Sequence, residues 1–392
     1  MRRLSVLVLS LLLTSLASAT QYHFDDLGPV IATALDPDAP VAVGSYYMPA
    51  QIAAIVYPQP LVIGTLPGGT FSVAQYTRNR LTVGYCGTGQ FSLLTHACAH
   101  TPDQGLQDLG TLGDPALFSA ATSCNSSGLI AVYGENPSQT AIVPWVVVGS
   151  LRVLLRTPTE GNAFTATIND AGYVIGTALA EDGRFHIFLW TLTGGAFDLG
   201  PGQGITLNNS DGAVLAQLDE PSLPAGVFRT DGLHRLPPLP GDDQSRGGGL
   251  NDHGVSVGTS LRFGANASSD VERIVLWQAD DTAVDLTPLV LGAVGWTLEE
   301  GRDINNLGLI LGEGVAPDGT RHGFLLTPVE MAVASVAPPV PAGAVAVPVD
   351  AMPLPVVLAT MQDETVLAMA MRQTPRVKDG HQSHRPPART PR

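Results

Sequence analysis

Short apolar runs of four to six residues, cut by Gly, Asn, Asp and Pro, recur from Tyr22 to Leu326. Runs of that length, rich in β-branched and aromatic residues and bounded by turn formers, predict strands rather than helices. One stretch reads as a unit of four strands: A over Phe164 to Ile168, B over Tyr173 to Gly176, C over Phe185 to Trp190 and D over Ala196 to Leu199. Between A and B stands Asn169-Asp170-Ala171-Gly172. Asn and Asp side chains bond the backbone two residues on, and Gly accepts positive φ, so this is a tight turn.

The same pattern repeats. Ile168–Gly176 returns as Leu250–Gly258 and as Ile304–Gly312, with degenerate copies at Asn125–Val132 and Asn209–Ala216 and poorer ones ending at Gly44 and Gly84. A second element, Phe185-His186-Ile187-Phe188-Leu189-Trp190, matches Glu272–Trp277 and His322–Leu326. A third, Asp-Leu-Gly, stands at Asp26, Asp108 and Asp198, with Asp285-Leu286-Thr287 close to it. Seven copies spaced by about forty residues have the period of a propeller blade. A single blade cannot bury both faces, so neighbours stack into a ring. The expected fold is all-β, a seven-bladed β-propeller of four-stranded antiparallel blades. The chain starts on a D-type strand and its last unit lacks one, so the N-terminal strand is expected to close the last blade.

These residues resemble the HAF-repeat family of predicted extracellular repeat proteins. Its unit runs His-Ala-Phe-Leu-Trp, Asp-Leu-Gly-Thr-Leu-Gly, Ala-x-x-Ile-Asn-Asp-x-Gly-x-Val-Val-Gly. Here His96-Ala97-Cys98 with Asp108–Gly113 carries it in one unit, and His186–Trp190 in another. The resemblance spans Gln21 to Pro328 and implies export and a propeller-like fold, with no activity attached. Arg273 departs from the pattern by replacing the His.

The ends differ from the repeats. Arg2-Arg3, an apolar Leu4–Leu16 and Ala17-Ser18-Ala19 read as a signal peptide over residues 1–19. Residues 20–330 form the repeat domain. Residues 331–392 are Pro- and Ala-rich and basic at the end, and read as a disordered tail. No later apolar run reaches the roughly 18 residues a membrane span needs, so the chain is expected not to span a membrane and to be secreted, as a monomer.

Charge narrows the partners. The repeat domain carries 12 Arg and no Lys against 31 Asp and Glu. An acidic surface repels phosphate backbones and anionic lipid, which argues against nucleic acid as a partner and leaves a protein or a glycan.

Of the three cysteines, Cys98 and Cys124 fall where other units carry Phe188 and Ile168. An exported chain can oxidise a pair, but this alignment favours small apolar core residues. His96-x-Cys98-x-His100 would set three metal ligands on one strand face. His96, however, occupies the repeat's own His position, so no metal and no cofactor is expected. Asp242-Asp243 and Glu299-Glu300 are pairs in sequence, but adjacent strand residues point oppositely. Gly247-Gly248-Gly249 reads as a loop, because no helix follows it. Gly-x-Ser-x-Gly, His-Glu-x-x-His and the phosphate-loop motif are missing from the sequence.

The A–B turns are short and uniform. The irregular segments, Gly241–Gly249, Thr259–Val271 and Pro288–Glu300, all join B to C or D to A and so share one face of the ring. They carry Asp242, Asp243, Arg246, Phe263, Asn266, Trp296, Glu299 and Glu300, the expected ligand-binding set. Trp296 and Phe263 could equally pack down their own loops. No catalytic residue is assigned. The expected function is a non-catalytic binding or scaffold protein; the alternatives are a propeller enzyme acting on polysaccharide or a structural envelope protein.

Overall fold

The computed structural model describes residues 20–48, 51–57, 61–89, 94–265 and 269–329. The expected signal peptide, Asn266 and the expected tail lie outside them. Strands β1 (Tyr22–Gly28), β2 (Val30–Leu35), β3 (Ala42–Met48), β4 (Gln51–Val56) and β5 (Leu61–Val62) open the chain. They are followed by β6 (Ser72–Arg78), β7 (Leu81–Gly87), β8 (Thr95–Thr101) and β9 (Gly105–Gly110). Next come β10 (Ser119–Cys124), β11 (Ile130–Glu135), β12 (Ile142–Val148) and β13 (Leu151–Leu154). Then β14 (Ala163–Ile168), β15 (Tyr173–Leu179), β16 (Phe185–Thr191) and the long β17 (Ala196–Leu207) lead to β18 (Val214–Leu218), β19 (Ala225–Arg229) and β20 (Gly232–Leu236). The chain continues through β21 (Gln244–Leu250), β22 (Ser256–Arg262), β23 (Val271–Trp277), β24 (Ala283–Asp285), the two-residue β25 (Val290–Leu291), β26 (Thr297–Ile304), β27 (Ile310–Val315) and β28 (Arg321–Pro328).

Among the described residues these strands make six hydrogen-bonded sheets arranged as a propeller-like ring. Four have four strands: β2–β5, β6–β9, β10–β13 and β21–β24. A seven-stranded sheet runs from β14 to β20, with β17 bonded to β16 by its first half and to β18 by its second. The fifth strand of the last sheet is β25, in the order β25-β1-β28-β27-β26. The N-terminal β1 pairs antiparallel with β28, Phe24 opposite Leu326, while β25 pairs parallel with its other edge. No helix among the described residues is long and apolar enough to cross a membrane.

Apolar side chains lie between neighbouring sheets. Val257 and Ile274 pack with Leu298, Ile310 and Phe324 of the last sheet, whose Leu309 and Leu311 meet Val30 and Tyr46 of the first. Burial of this kind drives the stacking of units that cannot close their own cores. Trp145, Trp190 and Trp277 of the C strands are fully buried. The Gly that ends the B-strand motif makes room for them: a Cβ on Gly176 would stand 2.9 Å from the Trp190 ring, and one on Gly258 2.8 Å from Trp277.

The turn motif has a second task. Asn169 Oδ1 accepts the Tyr173 N–H at 3.0 Å, which caps its own turn, while its Nδ2 donates to the Asn208 carbonyl of the next unit at 3.1 Å. Asn125 reaches the Asn169 carbonyl in the same way, Asn251 reaches Asn305, and Asn305 reaches the Asp36 carbonyl of the first sheet. The motif is therefore a staple between units as well as a turn. The His and Asp-Leu-Gly elements also pair: His186 Nδ1 lies 2.8 Å from Asp198 Oδ2, and Asp198 Oδ1 accepts the Gly200 N–H at 2.8 Å. Where Arg273 replaces the His, it meets Asp285 at 3.5 Å.

Two sequence expectations are corrected here. Gly247–Gly249 is not a loop but part of β21, and Gly248 packs so closely on Gly301 of β26 that any side chain would collide with that backbone. Cys86 and Cys98 are not merely small apolar residues. They form a disulfide across β7 and β8, with Cα atoms 6.1 Å apart, while Cys124 is free and buried. In the β7–β8 register Cys86 faces His96, and Cys98 lies two residues further along β8 on the same face.

Candidate active site

Seven A strands pair with their B strands through a bulge at one equivalent place: between Ala32 and Ala34, Ala74 and Tyr76, Ala121 and Ser123, Thr165 and Thr167, Gly204 and Thr206, Gly247 and Gly249, and Gly301 and Asp303. Strand β26 alone adds a second bulge, between Leu298 and Glu300. A bulge re-aims side chains that a regular pleat would send to opposite faces. Glu299 and Glu300 consequently reach the same guanidinium: Arg321 Nη2 is 2.6 Å from Glu299 Oε2, and its Nη1 is 3.3 Å from Glu300 Oε1. The expectation that this pair in sequence is not a pair in space is thereby corrected.

A charged network grows from that point. Arg302 Nη2 lies 2.8 Å from Glu300 Oε2 and 3.4 Å from Glu313 Oε2. Glu313, only 1% exposed, also takes the Ala32 N–H of the first sheet at 3.2 Å. From the sheet before, Arg246 Nη1 contacts Glu272 Oε1 at 3.5 Å. Four carboxylates and three guanidiniums thus meet where the sixth sequence repeat abuts the last. Arg302, Arg321, Glu272, Glu299 and Glu300 keep partial exposure, between 19% and 30% of each side chain.

The environments drive these carboxylates apart. Burial raises Glu272 above the usual carboxylate range, the charge of Glu300 adds to that rise, and Arg246 opposes it. Burial also acts to raise Glu300, but Arg302 and Arg321 outweigh it and hold that group below the usual range. Glu299 and Glu313 are raised, chiefly by burial, with Arg321 and Arg302 respectively as the main opposing charges. Carboxylates whose environments push their pKa values apart in one site are the elements of acid–base chemistry.

The other expected site residues are placed as follows. Arg246, Glu299 and Glu300 belong to strands and not to loops. Asp242 has a fully buried side chain, bonded by Arg273 at 2.7 Å and by the Ser260 hydroxyl at 2.6 Å. Asp243 accepts the Phe263 N–H at 2.8 Å. Phe263 is 55% exposed. Trp296 packs its own connection down, with its ring 4.7 Å from Phe24 and 5.6 Å from His322. Glu272, Arg302, Glu313 and Arg321 were missed. Their signal lay in departures from the repeat: Glu272 and Arg321 stand where Phe185 opens strand C, and Glu313 stands where other units have Thr177 and Thr259. In the His96-x-Cys98-x-His100 set, Cys98 is bonded to Cys86, and His96 lies 2.8 Å from Asp108 and 2.9 Å from the Pro115 carbonyl.

No family model and no curated protein matches this chain. Solved structures do. A prolyl endopeptidase, from a study of two such enzymes and their inter-domain dynamics, superposes with a TM-score of 0.52 at 9% identity over 78% of this chain and 49% of its own. Pyrococcus horikoshii acylaminoacyl peptidase gives 0.50 at 8% identity over 76% and 51%. The β-propeller domain of the Trilobed protease from Pyrococcus furiosus gives 0.43 at 9% identity over 66% and 82%. The chain spans about half the length of the two peptidases. What the likeness shows at such identities is a propeller fold. The expectation of a non-catalytic binding or scaffold protein finds no support in these neighbours and is withdrawn, since the two longer ones are peptidases.

Proposed function

We propose that this chain is an exported hydrolase built on a closed seven-bladed propeller, with a carboxylate acid–base site acting on glycosidic bonds. The observation that carries the reading is the extra bulge in β26, which gathers Glu299 and Glu300 on Arg321 beside a raised Glu272. In this reading the seven-stranded sheet counts as two blades joined through β17, and β1 is the closing strand. The Cys86–Cys98 disulfide supports export, because such bonds persist in oxidising compartments. The peptidase activity of the structural neighbours is not carried over, since the sequence has no Gly-x-Ser-x-Gly.

Glu272, the carboxyl of the pair whose pKa is raised, is in this reading the acid that protonates the departing glycosidic oxygen. Glu300 is ionised and takes a proton from the water that attacks the anomeric carbon. One bond to carbon breaks, one forms, and solvent restores both carboxyl groups. Arg302 and Arg321 keep Glu300 ionised and fixed. The test is reducing-end release from a panel of neutral and acidic polysaccharides by the purified chain. Glu272→Gln and Glu300→Gln should each lose about 10²–10⁴-fold in rate, the usual worth of general acid–base catalysis, while the exposed Arg262→Gln keeps full activity. A wild type inactive on the whole panel, or variants as active as the wild type, would sink the proposal.

A further inference from the structure

A cleft of about 500 Å³ lies away from the carboxylate site, between the sheets β6–β9 and β10–β13. His96, Asp108, Thr111, Gly113, Pro115 and Arg152 line it. The connection from β9 to β10, Thr111–Phe118, forms one side of it. Over this loop hangs Arg152, carried on the last strand of the following sheet, β13.

The walls are already satisfied internally. Asp108 is held by His96 Nδ1 at 2.8 Å and by the Gly110 N–H at 2.7 Å. Thr111 Oγ1 donates to the Asp114 carbonyl at 2.7 Å, and the far nitrogen of His96 faces the Pro115 carbonyl. Arg152 is different. Its Nη2 is anchored on the Leu109 carbonyl at 2.6 Å, but it makes no ion pair among the described residues. Nine of the repeat domain's twelve arginines are matched to a carboxylate; among the described residues Arg152, Arg156 and Arg262 are not, and of these three Arg152 alone lines the cleft.

From this we infer that the cleft is a second binding site, which takes a small oxyanion group, a carboxylate or a sulfate ester, on the Arg152 guanidinium. A guanidinium pinned by one nitrogen presents its remaining N–H groups in a fixed fork, and that fork matches the paired oxygens of such a group. In a strongly acidic protein an unpaired Arg over a concave surface is also a local attractor for anions. Asp108 lines the same cleft with a side chain 43% exposed, and beyond its bonds to His96 and Gly110 its carboxylate keeps lone pairs for a hydroxyl of the same ligand, which favours an oxyanion carried on a polyol such as a sugar.

The experiment is calorimetric titration of the full chain with glucuronate, glucose 6-sulfate, inorganic sulfate and glucose, repeated on Arg152→Gln and on Arg262→Gln. Glucuronate or glucose 6-sulfate should bind, glucose should not, and Arg152→Gln should weaken binding at least tenfold while Arg262→Gln leaves it unchanged. Preference between the two sugars tells carboxylate from sulfate. Binding of inorganic sulfate alone, equal binding by Arg152→Gln, or no binding by any probe would overturn the inference. Because the readout is binding by a residue remote from Glu300, failure here is distinct from failure of the hydrolase reading.

Discussion

His322 Nδ1 lies 2.8 Å from Asp26 Oδ1, a contact between residues 296 positions apart that ties the last C strand to the first strand of the chain. It is the same His–Asp pairing that His186 makes with Asp198 inside one hairpin, here made between the two ends of the repeat region. Deleting Gln21–Gly28 should therefore lower the melting temperature sharply. It removes the buried Tyr22 and Leu27 and leaves β28 as an open edge. Asp26→Ala alone should cost about 1.5–3 kcal/mol at most, the range for a hydrogen bond to a charged group. Chemical denaturation of both variants checks this, and an unchanged midpoint for the deletion counts against a structural role for β1.

Asn169 joins two units with one side chain, so Asn169→Ala should cost more than loss of a simple turn cap. It strands the Tyr173 N–H and the Asn208 carbonyl together. About 2–4 kcal/mol is expected from two lost buried bonds. Asn136→Ala, at an exposed turn, should cost well under half of that. Equal losses for the two would remove the inter-unit staple.

Two groups make stability fall as pH rises. His234 sits between Asp231 at 2.9 Å and Asp281 at 2.8 Å, and their hydrogen bonds raise its pKa above 6.5. The folded state holds that proton more tightly than the unfolded state, so the contribution is complete below about pH 6.5 and disappears as pH passes the folded value. Melting curves of wild type and His234→Gln between pH 5 and 9 should converge at the alkaline end. A constant difference contradicts the prediction.

Asp303 acts in the carboxylate sense. Burial lifts it to about 7, although the Leu35 and Ile304 N–H groups, each at 2.8 Å, oppose the rise. The folded state binds the extra proton between about pH 4 and 7, so ionisation of Asp303 costs stability progressively across that window. Asp303→Asn should flatten the pH slope there. Its signature is the slope rather than the absolute stability, since the amide keeps only one acceptor oxygen for two donors.

The Cys86–Cys98 bond closes a short loop of 12 residues' separation. Cys86→Ser with Cys98→Ser should cost about 2–3 kcal/mol by the chain-entropy estimate. Cys124, buried and held above the usual thiol range by desolvation, should resist a thiol reagent in the folded wild type. Rapid modification of the native protein would place Cys124 at the surface.

Much of this architecture was legible because the repeat is periodic. Strand C, read as Phe185 to Trp190, is observed as Phe185–Thr191, and the N-terminal run Tyr22–Gly28 pairs where an unfilled fourth strand was expected. The catalytic candidate was less legible, for a physical reason. Alternation along a strand assigns Glu299 and Glu300 to opposite faces, and nothing in the residues themselves announces the second bulge that cancels it. Loop boundaries failed likewise: Arg246 and the glycines after it look like a connection, yet their lack of side chains is what lets β21 lie against β26. The more useful signal was a charged residue where sister units carry an apolar or hydroxyl one, as at Glu272, Arg321 and Glu313.

The short strand β25 lies on the outer side of β1, so the first strand of the fold is held from both flanks, by β28 and by β25. Both of those partners are made last. As the polypeptide emerges from a ribosome, β1 precedes the other strands of the fold and must stay unpaired until they have followed. Contacts of such wide sequence separation form late and slowly, and a strand waiting for them with unpaired edges is open to mispairing with a neighbouring nascent copy. Assembly of this protein is thus governed by the last forty residues of its repeats, and a chain arrested short of Val290 carries an orphaned first strand with neither partner.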